Sequence, residues 1–150
     1  MQYIKLSNGV EMPLLGYGVF QVPPQEAERC VSDALSVGYR LIDTAQAYAN
    51  EEGVGKAIDK SGIKREDLFL VTKVWISNAG EERAARSIDE SLRKLKTDYI
   101  DLLLIHQAYG VHLIFHIEYI DHVGSEDIVH IGVVILIALC LLFLADHFLF

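Results

Sequence analysis

The feature that most constrains the fold is a repeated alternation of strand and helix patterns over the first 107 residues. Apolar runs typical of buried strands begin near residues 14, 39, 68 and 100. Between them lie stretches whose apolar residues recur at helical spacing. Alternation of this kind is typical of βα units, in which the strands form a parallel sheet and the helices cover its faces. The pattern therefore predicts an α/β fold.

The predicted helices have recognisable beginnings and ends. Pro24 is expected at the start of the first helix and Gly38 just after its end. Asn50 is expected to cap the second helix, ahead of two glutamates in its first turn, and Gly62 to end it. Residues 81–96 form a third, amphipathic helix with one apolar face.

A β-hairpin is predicted before the first βα unit, because two short strand-like runs flank Asn8 and Gly9. Two architectures are compatible with the units that follow: a doubly wound sheet and a (β/α)8 barrel. A complete barrel needs about 250 residues. Four βα units would therefore correspond to half of a barrel.

Composition restricts the class of partner and the cellular compartment. A net charge of -8 argues against nucleic-acid binding, which needs a basic surface. Cys30 and Cys140 show no metal-binding or redox spacing, and the first residues lack the pattern of a signal peptide. A cytoplasmic location is the expectation.

Polar residues at the predicted strand ends are candidates for catalysis. Asp43, Lys73 and His106 each end a strand, and Tyr48 follows Asp43 closely. Taken singly, such an Asp or Lys is usually a solvated loop residue, and a lone Tyr or His usually packs with a satisfied hydrogen bond. In a parallel sheet, however, the carboxyl ends of all strands meet at one edge, and adjacent strands lie about 4.8 Å apart.

These four side chains together would suit protonation of a carbonyl oxygen. A phenol has a pKa near 10 and is a poor acid unless a nearby cation favours its phenolate, and Lys73, held by Asp43, is expected to lower the pKa of Tyr48. A neutral His106 would donate a hydrogen bond that orients the carbonyl. No side chain supplies a hydride, so carbonyl reduction would also require a nicotinamide cofactor.

Four stretches carry a resemblance to a known family. They read NGVEMPLLGYGVFQV at 8–22, GYRLIDTAQAYANEEGVG at 38–55, LVTKVW at 70–75 and YIDLLLIH at 99–106. Together they resemble the aldo-keto reductases, NADPH-dependent carbonyl reductases on a (β/α)8 TIM barrel. The likeness is to the microbial branch that reduces small dicarbonyls such as diketogluconate and methylglyoxal, and it covers residues 1–107.

The resemblance implies a role for each rim residue. Tyr48 would be the proton donor, Lys73 and Asp43 would tune it, and His106 would orient the substrate. Phe20 and Trp75 would line the substrate pocket together with His106. Val19 and Asp43 would contribute to binding of the cofactor, NADPH. Most of the residues that hold NADPH in the family lie in the fifth strand and beyond and have no counterpart in this sequence, so we expect this chain to be incomplete and weakly active or inactive.

After Gln107 the agreement with the family breaks. The family's fifth strand reads Ile-Gly-Val-Ser-Asn-Phe, and residues 131–136 read IGVVIL. Loss of one base would turn codons for Val-Ser-Asn-Phe into codons for Val-Val-Ile-Leu, so a shifted reading frame is our hypothesis for residues 108–150. We therefore expect a truncated half barrel of four to five βα units, followed by an irregular hydrophobic tail.

The tail has other interpretations. His112 and His116 have the spacing of two metal ligands on a helix, but alternating apolar residues favour a strand there, and no metal site is predicted. Residues 128–145 are at the lower limit for a membrane span, whereas a buried strand and helix, or an exposed tail, is favoured. A non-catalytic half barrel that is membrane-tethered or binds a partner is the alternative function. Unpaired strand edges predict self-association.

Overall fold

The structure is a computed structural model that describes residues 1–106. It begins with a hairpin, in which β1 (Tyr3–Lys5) pairs antiparallel with β2 (Glu11–Pro13). At the turn, the side-chain oxygen of Asn8 accepts a hydrogen bond of 3.1 Å from the backbone of Val10, and Gly9 has a φ of 88°. Glycine adopts this left-handed conformation without a steric penalty. The predicted hairpin is confirmed.

Four parallel strands form the sheet, in the order β3-β4-β5-β6. They are β3 (Gly16–Gly18), β4 (Leu41–Asp43), β5 (Phe69–Trp75) and β6 (Leu102–His106). Each strand therefore lies beside the next one in the chain, as successive βα units require. This arrangement confirms the predicted α/β half barrel, since the strands of residues 1–106 form an open sheet and not a closed barrel.

Three helices connect the strands: α1 (Pro24–Ser36), α2 (Glu51–Ser61) and α3 (Glu81–Leu95). Pro24 is the first residue of α1, as predicted, and Gly62 follows α2 with a φ of 68°. A proline at the first helical position loses no hydrogen bond, and a left-handed glycine ends a helix readily.

The core lies mainly between the helices and the outer face of the sheet. Its largest cluster joins α1, α2 and α3 to the strands, and a smaller cluster lies on the opposite face of the sheet. The buried members of the larger cluster are Val19, Val31, Leu35, Ile42, Val54, Ala57, Ile58, Leu68, Leu70 and Leu95. Those of the smaller cluster are Leu41, Phe69, Val71 and Leu102.

Asn50 occupies the predicted N-cap position of α2, but its side chain makes no capping hydrogen bond. Its amide nitrogen instead donates to the backbone oxygens of Val19, at 2.9 Å, and Val22, at 3.0 Å. Its amide oxygen accepts a bond of 2.8 Å from the hydroxyl of Thr44. The predicted N-cap position is therefore confirmed, but the side chain does not make the capping bond that its type favours. Buried carbonyls of the β3–α1 loop need donors, and this demand outweighs the local cap.

An ion pair at the amino end of the sheet holds β5 and β6 in register. Arg65 donates to Asp101 at 2.6 Å, and the same carboxylate oxygen accepts a bond of 2.8 Å from the backbone nitrogen of Leu70. Arg65 also donates to the backbone oxygen of Tyr99, just before β6. These contacts thus fix, from the amino end of the strands, the register that places Trp75 opposite His106.

Several predictions concern residues outside the described range. Among residues 1–106, no helix combines the length and the apolar character needed to cross a bilayer. The candidate span at 128–145, the pair His112 and His116, the boundary at residue 107 and the frameshift hypothesis all lie outside the described residues or depend on them, and they stay predictions.

Replacing Gly55 by alanine is expected to destabilise the fold by about 1–3 kcal/mol, in the range of overpacked cores. A Cβ at this position would lie 2.8 Å from the Cα of Leu95, and closer still to the backbone oxygen of Lys94. Backbone atoms of α3 cannot rotate away. In an open helix the same change would stabilise by up to about 1 kcal/mol. Urea unfolding measures the difference, with Ser32→Ala on the exposed face of α1 as control. An unchanged or higher free energy of unfolding would contradict the close approach.

Candidate active site

The candidate active site lies where the strands end, and a stagger between neighbouring strands shapes it. β4 ends at Asp43, which pairs with Val71, whereas β5 continues to Trp75, which pairs with His106. Because side chains alternate along a strand, Lys73 and Trp75 lie on the same face of β5. The sheet therefore brings Asp43, Lys73, Trp75 and His106 to one edge.

The ammonium group of Lys73 is held at three oxygens. Both carboxylate oxygens of Asp43 and the backbone oxygen of Thr44 lie 2.8 Å from its nitrogen. The ion pair is partly buried, with 14% of the Lys73 side chain and 33% of the Asp43 side chain exposed. Charge-assisted bonds of this length fix both side chains.

Tyr48 lies at the end of a short 3-10 turn, Gln46–Tyr48, that follows β4. Ala49 has a left-handed φ of 56° and reverses the chain into α2. The turn carries the phenol ring over Lys73, whose nitrogen lies 5.1 Å from the ring centroid. Tyr48 and the ion pair are thus brought together, as the strand-end argument predicts.

Four aromatic rings surround this point. The ring of Tyr48 lies 5.2 Å from that of Phe20 and 5.6 Å from the imidazole of His106, measured between centroids. The indole of Trp75 lies 5.2 Å from the same imidazole in an edge-to-face arrangement. We call Phe20, Tyr48, Trp75 and His106 the aromatic cluster. It forms an apolar wall beside a fixed cation.

The pKa of Tyr48 is raised, first by burial of the phenol and then by the negative charge of Asp43. The sequence argument predicted the opposite direction, from the positive charge of Lys73, and that expectation is wrong for this structure. The reason is geometric. The ammonium group is bonded to Asp43 and Thr44, so its charge is already balanced.

The pKa of His106 is lowered, first by burial and then by the positive charge of Lys73, with Asp43 acting in the opposite direction. An imidazole with a lowered pKa is neutral at neutral pH, and one ring nitrogen then carries a proton. Among residues 1–106, no hydrogen-bond partner reaches its buried Nδ1. His106 therefore meets the requirement for a neutral hydrogen-bond donor at the rim.

Val19 and Phe20 are neighbours in the chain but lie in different environments. Val19 is fully buried in the larger core cluster, and its backbone groups bond to Asp43 and Asn50. Phe20 is 65% exposed and reaches the rim. The structure thus brings Phe20 to the aromatic cluster but not the side chain of Val19, whose cofactor role stays a prediction.

Three polar residues near the site were missed by sequence reasoning. Asn50 joins the turn after Tyr48 to the β3–α1 loop, and buried Glu51 accepts a hydrogen bond of 2.7 Å from Thr72. Gln46 bonds to β5 and α3. Their only sequence signal is their position beside Tyr48. Among residues 1–106, no group of three or more His, Cys, Asp or Glu side chains could hold a metal ion.

Comparison with known proteins confirms the resemblance. The model of the aldo/keto reductase family matches residues 13–128. Methylglyoxal reductase DkgA of Yersinia pestis is 52% identical over 103 residues, which are 69% of this chain and 36% of that protein.

Solved structures show the same likeness in three dimensions. A putative 2,5-diketo-D-gluconic acid reductase B has a TM-score of 0.69 and 49% identity, covering 73% of this chain and 39% of that one. A Bombyx mori aldo-keto reductase, crystallised in complex with NADP, has a TM-score of 0.67 and 36% identity, covering 70% and 38%. The chain thus spans less than two fifths of the length of each of these three proteins.

The emission of Trp75 is expected to report the titration of His106. Trp75 is the single tryptophan of the chain, and a protonated imidazole in ring contact quenches indole emission. The transition should fall below the ordinary histidine value of about 6.5. Lys73→Met should move it upward, because the lowering charge is removed and the raising charge of Asp43 remains. A fluorescence titration measures both midpoints.

His106→Asn is the control for this titration, since the chain has six histidines. Any transition that persists in this variant comes from another group and is subtracted. A midpoint at or above about 6.5 in the unmodified chain would contradict the described environment of His106.

Proposed function

Because the chain belongs to the aldo/keto reductase family, we propose that it is the N-terminal half of a reductase acting on small aldehydes and ketones, including dicarbonyls such as methylglyoxal. One observation carries the proposal: the phenol of Tyr48 lies over the Lys73–Asp43 pair and beside the imidazole of His106. Since the chain spans less than two fifths of its relatives, activity of this polypeptide is part of what is proposed.

Tyr48 is the proton donor in this proposal. Its raised pKa keeps the phenol protonated at neutral pH. When the carbonyl oxygen becomes an alkoxide, it is a stronger base than a phenolate, so the proton moves from the Tyr48 oxygen to the substrate oxygen. The phenolate that remains recovers a proton from solvent, and the negative charge of Asp43 beside it favours this return. Proton transfer by such a positioned group contributes about 10²–10⁴-fold to rate.

His106 and the aromatic side chains position the substrate. A neutral imidazole donates a hydrogen bond to the carbonyl oxygen without competing with Tyr48 as an acid. Phe20 and Trp75 provide apolar surface on either side of the Tyr48–His106 contact. Such a wall favours small carbonyl compounds.

The rim fits the reactive end of NADPH. When bound, NADPH supplies the hydride that no side chain can provide. Asp43 keeps a third of its side chain exposed, and Phe20 presents an open aromatic face that a flat ring would cover. Asp43 is therefore the described residue best suited to contact the cofactor, whereas Val19 could take part only through its backbone. A Bombyx mori relative crystallised with NADP supports this choice of cofactor.

A cytoplasmic location completes the proposal. NADPH-dependent reduction needs a supply of reduced nucleotide, which the cytoplasm provides. Within residues 1–106, Cys30 is a free thiol and is partly buried, which suits a reducing compartment. Cell fractionation followed by detection of the chain tests this location.

Tyr48→Phe is expected to lower the rate of methylglyoxal reduction by about 10²-fold or more, because phenylalanine has no proton to donate. The measurement is oxidation of NADPH by the purified 150-residue chain, followed by its absorbance. KM should change little, since the ring and its contact with Phe20 remain.

Tyr3→Phe on the hairpin is the matched control, because Tyr3 is exposed and lies in β1, which pairs with β2 and not with the four-stranded sheet that carries the rim. It should reduce methylglyoxal at the unmodified rate. If the unmodified chain neither binds NADPH nor reduces methylglyoxal, the proposal fails for this polypeptide. Equal rates in Tyr48→Phe and the unmodified chain would exclude Tyr48 as the donor.

A further inference from the structure

The side chain of Gln46 makes four hydrogen bonds across the candidate site. Its amide nitrogen donates to the backbone oxygen of Ser87, at 3.0 Å, and to the hydroxyl of Ser91, at 3.1 Å. Its amide oxygen accepts from the backbone nitrogen of Trp75, at 2.9 Å, and from the side chain of Asn78, at 3.0 Å. A primary amide has two donor hydrogens and two acceptor lone pairs, so its capacity is fully used.

These bonds join three elements that the sheet alone does not connect at the rim. Gln46 is the first residue of the turn that ends in Tyr48, Trp75 is the last residue of β5, and Ser87 and Ser91 lie in α3. β4 stops opposite Val71, so β5 extends past it. The amide oxygen of Gln46 accepts a hydrogen bond from the backbone N–H of Trp75. A backbone carbonyl would accept this bond if β4 were longer.

The turn needs such an anchor, because its own hydrogen bonds are local. The backbone nitrogen of Tyr48 donates to Ala45, and that of Ala49 donates to Gln46. These bonds define the shape of the turn but not its distance from β5. On one side Asn50 ties the turn to the β3–α1 loop, and on the other side Gln46 ties it to β5 and α3.

We propose that Gln46 is a positioning residue of the active site, which holds the Tyr48 turn at a fixed distance from Trp75 and thereby from His106. The inference rests on the proposed reductase function, and it adds a residue that acts through others. Gln46 itself need not touch the substrate. Its effect is exerted through the edge-to-face contacts that His106 makes with Tyr48 and with Trp75. A shift of about 1 Å between reacting groups can cost about 10²-fold in rate.

Two substitutions distinguish the donor and the acceptor roles of the Gln46 amide. Gln46→Leu has a similar volume and removes all four hydrogen bonds. Gln46→Glu retains an oxygen that can accept from Trp75 and Asn78 but cannot donate to the Ser87 carbonyl. Gln25→Leu is the matched control, because Gln25 is an exposed glutamine in the first turn of α1.

The first readout is spectroscopic and does not depend on activity. In the unmodified chain, protonation of His106 should quench the emission of Trp75, since the two rings are in contact. Gln46→Leu should move the midpoint of this change upward toward about 6.5, because displacement of the Tyr48 turn exposes His106, whose lowered pKa is due first to burial. Gln25→Leu should retain the unmodified midpoint. Urea unfolding, measured in parallel, reports any loss of overall stability.

The second readout is kinetic. Gln46→Leu should lower kcat for methylglyoxal by about 10²-fold with a smaller change in KM, and Gln46→Glu should restore most of kcat. If Gln46→Leu unfolds more easily but keeps the unmodified Trp75 titration and kcat, Gln46 is only a structural link and the proposal is overturned. If the unmodified chain has no activity, the reductase proposal fails, and the Trp75 titration still decides the role of Gln46.

Discussion

The stagger between β4 and β5 is the constraint on which the rest of the site depends. β4 ends at Asp43, opposite Val71, and β5 continues to Trp75. Along this extension no residues of β4 lie beside β5. Polar groups at the end of β4 and in the turn after it bond to β5 instead. Asp43 and Thr44 bond to the ammonium of Lys73, and Gln46 bonds to the backbone of Trp75. A longer β4 would have bonded to the backbone of Trp75 through its own carbonyl and left no turn to carry Tyr48.

The ammonium of Lys73, which lies at the stagger between β4 and β5, affects the pKa values of Tyr48 and His106 differently. Taking an ion pair partly out of water costs free energy, which three short hydrogen bonds to Lys73 offset. Since Asp43 balances the charge, burial determines the direction of the Tyr48 pKa, and the phenol stays protonated. Burial first, and then the positive charge of Lys73, lowers the pKa of His106, so the imidazole stays neutral. Burial and this ion pair together therefore keep Tyr48 protonated and His106 uncharged.

The sequence allows the sheet, the hairpin and the rim residues to be predicted because each depends on local pattern. Strand ends in a parallel sheet meet at one edge whatever the details of packing, so Asp43, Lys73 and His106 could be grouped without coordinates. Asn50 shows where this reasoning fails. Its type and position favour a capping hydrogen bond to the helix. Its amide nitrogen instead donates to the loop carbonyls of Val19 and Val22, which lie 31 and 28 residues earlier. The partners of Gln46 are equally distant in sequence, and no periodicity encodes them.

The width of the candidate pocket follows from those distant polar contacts more than from the core. Apolar burial is non-directional, so the clusters beneath the sheet hold the helices against it without fixing a rim side chain to within a fraction of an ångström. Hydrogen bonds constrain both distance and angle. Asn50 bonds to the loop that carries Phe20, and Gln46 bonds to the strand end that carries Trp75. Phe20 and Trp75 are thereby both tied to the segment that contains Tyr48, so a displacement of this segment would move all three aromatic side chains relative to His106.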